Sequence, residues 1–311
     1  MNWYREYEAD LIWVFTEAEA IISEFPQPLN TTGLAYLNKF NVLKEGSTNN
    51  YICYLLPFWM MDFLPIDRVI CRHLSLANVL GMLYFFIQDD RMDSISLYNK
   101  YQLPLANLLH IKFLKCYQQL FTTDSLFWTF YSKYITEWAE AVTNENHEHS
   151  FLKDPLLIAR KASPMKLCST GACLLMEREE LIPIISDFVD HVLTTLQMAD
   201  DWVDWQEDLH EGNYNSLIDF IAAHYPIKYG QDMNESIIKE AIYTRAQLTP
   251  YVQAAVEHHK HLATSCINVP HLLSFHEYMV HNLLEEASTI IKKRDSLALG
   301  GFEWLMENMK E

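Results

Sequence analysis

Glycine and proline are scarce in this chain, with 8 and 11 residues among 311. Sheets need turn residues at short intervals, so long stretches without breakers argue for helices throughout. Basic residues are also few: 23 Lys and Arg stand against 41 Asp and Glu, a formal net charge of −18. That balance excludes nucleic acid as a partner, because phosphate backbones call for basic stripes, and it disfavours docking on an anionic membrane. No uninterrupted apolar run reaches the roughly 20 residues that a transmembrane helix needs. Glu6 and Glu8 stand where a secretory signal would carry lysines. The six cysteines (Cys53, Cys71, Cys116, Cys168, Cys173 and Cys266) include no CxxC pair. They read as reduced, mostly buried thiols of a cytoplasmic protein, not as a disulfide frame or a zinc site. No Gly/Ser-rich or Pro-rich linker interrupts residues 1–311, and no repeat recurs at solenoid periods, so a single domain is expected.

What the chain does have is apolar periodicity, with half its residues hydrophobic. Helices are predicted over 3–25, 32–44, 65–90, 96–120, 124–144, 154–177, 181–208, 216–224, 234–263 and 272–294, with a tail helix over 302–309. Pro26 and Pro28 stop the first, residues 47–50 form a loop and cap, and Gly212 supplies the left-handed cap after the long acidic helix. The fold class is therefore all-α, a bundle of about ten helices, several too apolar to be only surface-packed.

Two aspartate groups stand out, more than a hundred residues apart. The first is Asp89-Asp90-Arg91-Met92-Asp93; the second is Asp200-Asp201-Trp202-Val203-Asp204, continuing through Glu207 and Asp208. On a helix Asp89 aligns with Asp93, with Asp90 beside them, and Asp200, Asp204 and Asp208 form one ridge. Asp201 and Glu207 flank that ridge, so all five acids fall within an arc of about 120°. Apolar residues precede each group, which sets the acids near the mouth of an apolar interior. A charge run is ordinarily a solvated face. Yet negative charge near a helix C-terminus is unfavourable, so two matched groups make sense mainly with a cation between the carboxylates. Mg²⁺ takes oxygen ligands and keeps positions open for substrate phosphates, which points to a metal-bridged diphosphate and to an enzyme.

Aromatic residues crowd the acids. Tyr84, Phe85 and Phe86 lie about one turn before Asp89, and Trp202 and Trp205 are interleaved with the second group. Most such rings fill cores, but an aromatic wall also accepts an apolar chain and stabilises a carbocation. The histidine runs His147-Glu148-His149 and His258-His259-Lys260-His261 lack the HExxH or ExxH spacing of metal helices and read as polar surface. No P-loop, nucleophile elbow or dinucleotide fingerprint is present.

These residues resemble a known family. Asp89-Asp90-Arg91-Met92-Asp93 matches the DDxxD motif of class I isoprenoid synthases, and Gln197-Met198-Ala199-Asp200-Asp201-Trp202-Val203-Asp204 resembles the QxxDDxxD motif of trans-prenyltransferases. Glu207 and Asp208 add an acidic pair like the DxxED of squalene and phytoene synthases. The resemblance implies one helical bundle around a central apolar cavity, with the motifs facing each other and holding three Mg²⁺ ions against a prenyl diphosphate. Carried over, Asp89, Asp90 and Asp93 hold part of the metal cluster, and Asp200, Asp201 and Asp204 the rest, with Glu207 and Asp208 on metal or water. Asp89, Asp90, Asp200 and Asp201 are then the catalytic acids. Arg160, Lys161 and Lys166 supply basic contacts to diphosphate, and Tyr84 and Phe85 line the substrate cavity. A homodimer is compatible with this reading.

Departures from the pattern narrow it. No Gly-Gly-Lys segment occurs, and Ser94-Ile95-Ser96-Leu97 replaces the arginines that follow the first motif in chain elongators. The expectation is a Mg²⁺-dependent terpene synthase ionising one C15–C25 prenyl diphosphate, whose cation cyclises or eliminates. The alternatives are a trans-prenyltransferase making a longer diphosphate and a non-catalytic helical subunit of a prenyl synthase.

Overall fold

The computed structural model describes residues 3–48, 50–93, 100–144, 151–224 and 233–298. Among them there are twelve α-helices and no strand, as the shortage of turn residues requires. In chain order they are α1 (Glu8–Ser23), α2 (Leu29–Phe40), α3 (Tyr51–Trp59), α4 (Arg68–Asp93), α5 (Gln102–Leu120), α6 (Phe127–Asn144), α7 (Lys166–Leu175), α8 (Ile182–Glu211), α9 (Ser216–Ala223), α10 (Glu235–Lys239), α11 (Leu248–Ala263) and α12 (Pro270–Ala298). The expected tail helix over 302–309 and the His147-Glu148-His149 run lie outside the described residues.

The described helices fall into two compact units: Met1–Trp138 with Ala162–Asp187 and Ile267–His271, and Ala139–Lys161 with Phe188–Cys266 and Leu272–Glu311. The sequence shows no boundary because the division passes through α6, α8 and α12 rather than through a linker.

In the first unit α4 is the central element, packed on α1, α3, α5 and α7. Its segment Arg68–Met92 is long and apolar enough to cross a membrane, but 67% of its most apolar window is buried inside the protein, the mark of a core helix. Gly81 lets α5 approach: a Cβ there would lie 2.8 Å from the Phe113 ring. Asp10 of α1, only 1% exposed, accepts from Arg68 at 3.0 Å and from Arg72 at 2.7 Å, fixing α1 to α4. Cys53, Cys71, Cys116, Cys168 and Cys173 are buried free thiols, and burial pushes Cys53 and Cys168 up to about 12. Thiols held protonated in this way do not act as nucleophiles.

In the second unit a core of Met198, Trp205, Leu217, Ile221, Ile238 and Tyr251 joins α8 to α9, α10 and α11, with Trp202 packed on its edge. Trp205 is thus a core residue, 4% exposed.

Three expectations need correction. α3 was not expected, because Ile52 to Trp59 are buried on every side and leave no amphipathic period to read. The helix expected over 154–177 is a 3₁₀ stretch, Pro155–Met165, followed by α7; Pro164 removes a backbone donor there. The helix expected over 234–263 is broken by a single π-turn, Glu240–Thr244, and by Ala246 with φ of 54°.

Candidate functional site

The first acidic group closes the C-terminal end of α4. Asp89 and Asp90 are exposed there, and Asp93 is helical, its side chain lying outside the described residues. Tyr36 of α2 donates its hydroxyl to Asp90 Oδ2 at 2.9 Å. Burial, and then the charges of Asp90 and Asp89, push the Tyr36 hydroxyl far above its ordinary pKa, so it stays a donor. No local signal could reveal this contact, because 54 residues separate the partners.

One turn earlier, Tyr84 and Phe85 are half-buried in an aromatic wall. Tyr84 stacks on His110 of α5 at 4.6 Å, and Phe85 meets Trp138 of α6 edge-on at 5.0 Å. His110 bonds Tyr131 at 3.1 Å, and burial lowers its pKa, which favours the neutral ring. The wall therefore presents aromatic faces and uncharged polar groups.

Lys166 lies elsewhere than the sequence suggested. It is 4% exposed, pairs with Glu137 at 3.1 Å and sits 4.8 Å above the Tyr134 ring. Ser163 also donates to Glu137, at 3.0 Å, and Tyr134 bonds Thr170 at 2.9 Å. The Lys166 charge is thus compensated within the first unit's core, where moving it to a ligand would leave Glu137 half-paired.

The second acidic group occupies the last three turns of α8. Asp200, Asp204 and Glu207 are exposed, Asp208 is half-buried, and Asp201 is 3% exposed. Asp201 points away from the ridge and into the unit. Its Oδ1 accepts from Gln197 Nε2 at 2.8 Å, and its Oδ2 accepts from the Ser216 backbone N–H at 2.8 Å and from the Ser216 hydroxyl. Burial raises its pKa, while Ser216, Gln197 and the Lys161 charge pull it back. Asp201 therefore ties the N-terminus of α9 to α8.

Asn215 completes that tie. Its Oδ1 accepts from Leu217 and Ile218 N–H at 3.1 Å each, capping α9, while its Nδ2 donates to the Asp201 carbonyl and to Asp208 Oδ2 at 2.8 Å each. The sequence signal was available: Asn immediately before a helix is a strong N-cap. Gly212, with φ of 80°, provides the expected left-handed turn, and its N–H reaches the Asp208 carbonyl at 2.8 Å.

Asp208 carries the electrostatic mark of the ridge. Its pKa rises to about 6, first through burial and then through the charges of Asp201 and Asp204; Asn215 and Lys161 oppose the rise. The helix dipole adds its negative end at the same place. Lys161 is therefore the cation of the three expected ones whose field reaches this ridge, while Arg160 is exposed beside it in sequence. A carboxyl raised by neighbouring acid charges, as Asp208 is, fits a hard divalent cation, which would remove the repulsion.

No model of a known protein family matches the chain, and no curated protein matches it. Among solved structures, the chain is similar to the geranylgeranyl pyrophosphate synthase of Lactobacillus brevis, with a TM-score of 0.64 and 17% identity. The match covers 91% of this chain and 99% of that one. At that identity the likeness shows a shared all-helical fold, the isoprenoid synthase fold.

Proposed function

We propose that this protein is a Mg²⁺-dependent terpene synthase acting on one prenyl diphosphate. The observation that carries the reading is the α8 ridge, where exposed Asp200 and Asp204 and half-buried Asp208 stand together and Asp208 is held near 6. Asp200, Asp204 and Asp208 in one unit, and Asp89, Asp90 and Asp93 in the other, are the residues that would hold Mg²⁺. Glu207 is a further exposed carboxylate of the same helix end. Bound Mg²⁺ supplies Lewis-acid stabilisation of a departing diphosphate.

The chain's own residues do the remainder. Tyr36 orients Asp90 from behind, as outer hydrogen bonds commonly orient ligand carboxylates. Asp201 and Asn215 set the register of α8 against α9, so Asp201 acts as a positioning residue. Lys161, with Arg160, offers positive charge to a diphosphate. Tyr84 and Phe85 present ring faces to an apolar chain and its cation.

The fold shared with a geranylgeranyl pyrophosphate synthase favours a second reading, a prenyltransferase that lengthens its substrate. The absence of a Gly-Gly-Lys segment and of arginines after Asp93 favours the first. Purified protein with Mg²⁺ and C10 to C25 prenyl diphosphates, with and without isopentenyl diphosphate, separates them. Hydrocarbon or alcohol from one diphosphate alone supports the synthase. A longer diphosphate that forms only with both substrates supports the prenyltransferase. No turnover under any condition leaves the non-catalytic subunit.

A further inference from the structure

The run His258-His259-Lys260-His261 reads as surface in the sequence, but the second unit buries part of it. His258 of α11 is 9% exposed and His191 of α8 is 8% exposed. Their rings meet edge-on at 5.0 Å, and His191 stacks on His261 of α11 at 4.4 Å. Asp187, His191 and His261 bring ligand atoms within 4.8 Å of one another. His258 Nδ1 is buried and has no hydrogen-bond partner. His191 thus lies against both of these α11 imidazoles, nine residues before Asp200 and so about 13 Å along α8 from the acidic ridge.

We infer that His191, His258 and His261 form a site for a late first-row divalent cation of the Zn²⁺ class, which clamps α8 to α11. In a tetrahedral site with Zn–N near 2.0–2.1 Å, neighbouring imidazole centroids stand roughly 5 Å apart. The His191–His258 separation of 5.0 Å already meets that spacing. His261, at 4.4 Å and nearly parallel, must turn out of its stack; it lies on the exposed face of α11 and has room to do so. Three nitrogens leave a fourth position, and Asp187, one turn before His191 on the same helix, carries a carboxylate. Imidazole donors select Zn²⁺, Co²⁺ or Ni²⁺ over Mg²⁺, whose preference is for oxygen. Burial first, then His191 and His261, lower the His258 pKa to about 4, so that ring is neutral and able to coordinate at neutral pH.

The inference does not depend on the reaction proposed above. The test uses full-length protein without a histidine tag, stripped of metal and held in saturating Mg²⁺ so that oxygen sites are occupied. It is titrated with Zn²⁺ by calorimetry and with Co²⁺ by visible absorption. One equivalent of Zn²⁺ should bind, Co²⁺ should show the intense bands of a tetrahedral nitrogen site, and the melting temperature should rise. His261→Ala, at an exposed position and expected to fold, should weaken binding at least tenfold, as should His191→Ala. His281→Ala, on α12 and exposed, should bind as the parent does. Absence of stoichiometric Zn²⁺ binding, or parent-like binding by His261→Ala, would overturn the site.

Discussion

Replacing Asp208 with Asn should stabilise the metal-free protein while crippling it. The Asp208 carboxyl rises from 3.8 to about 6 in the folded chain, chiefly through burial and the charges of Asp201 and Asp204. A folded pKa above the unfolded one means that the folded state binds the proton more tightly. Stability is then lost as pH rises between about 4 and 6, and the full penalty stands above that window. At about 1.4 kcal/mol per unit the shift would be near 3 kcal/mol, but Asp208 is only half-buried, and solvent screening reduces this to about 1 kcal/mol. Asn keeps the acceptor that Asn215 Nδ2 uses at 2.8 Å, so the α9 cap survives the change. Thermal melts of the metal-free Asp208→Asn variant at about pH 7.5 should therefore rise by about 2 °C, with no difference from the parent at about pH 4. Added Mg²⁺ should raise the parent's melting temperature more than the variant's, and the variant's turnover should fall more than tenfold. A lower melting temperature for the metal-free variant at neutral pH, or an unchanged Mg²⁺ shift, would refute the electrostatic reasoning.

Other substitutions separate site from scaffold. Asp200→Ala, on an exposed face, should abolish turnover with unchanged stability, whereas Asp201→Ala should also cost about 2 kcal/mol in urea denaturation, because the buried Ser216 donors lose their acceptor. Arg72→Ala should destabilise the protein by about 1 kcal/mol, since buried Asp10 loses its 2.7 Å partner but keeps Arg68 at 3.0 Å; urea unfolding with no shift would contradict that. His276 is fully buried, bonds Thr195 at 2.8 Å, and has its pKa lowered to about 3 by burial. Its folded pKa lies below the unfolded one, so its stabilisation is complete above about 6.5 and is lost as pH falls towards 3. His276→Gln should accordingly flatten the acid limb of a melting-temperature profile; an unchanged limb would exclude His276 as its source. Tyr84→Ala should open the aromatic wall and shift preference to longer prenyl diphosphates, read from product chromatograms; an unchanged profile would remove Tyr84 from the cavity lining.

The long helices were readable from the sequence because each pairs a buried face with a wet one; α5, α6 and α8 fall close to their expected spans. α3 escaped for the opposite reason, since a helix buried all round has no period. The acids were legible as types, but their division of labour was not. Asp200 and Asp201 are adjacent in sequence, yet one is exposed and the other is anchored by Ser216 fifteen residues on. Lys161 and Lys166 looked interchangeable, but five residues and a 3₁₀ stretch direct one charge to the α8 carboxylates and the other to Glu137. The histidines show the same limit: spacing within one helix said nothing of His191, which comes from another.

Diphosphate release from a single prenyl diphosphate decides whether this protein is a terpene synthase. With Mg²⁺ present and isopentenyl diphosphate absent, the parent should release one diphosphate per substrate consumed, and Asp89→Ala and Asp200→Ala should each release it orders of magnitude more slowly. Release that requires isopentenyl diphosphate, or that survives both substitutions, would contradict the claim.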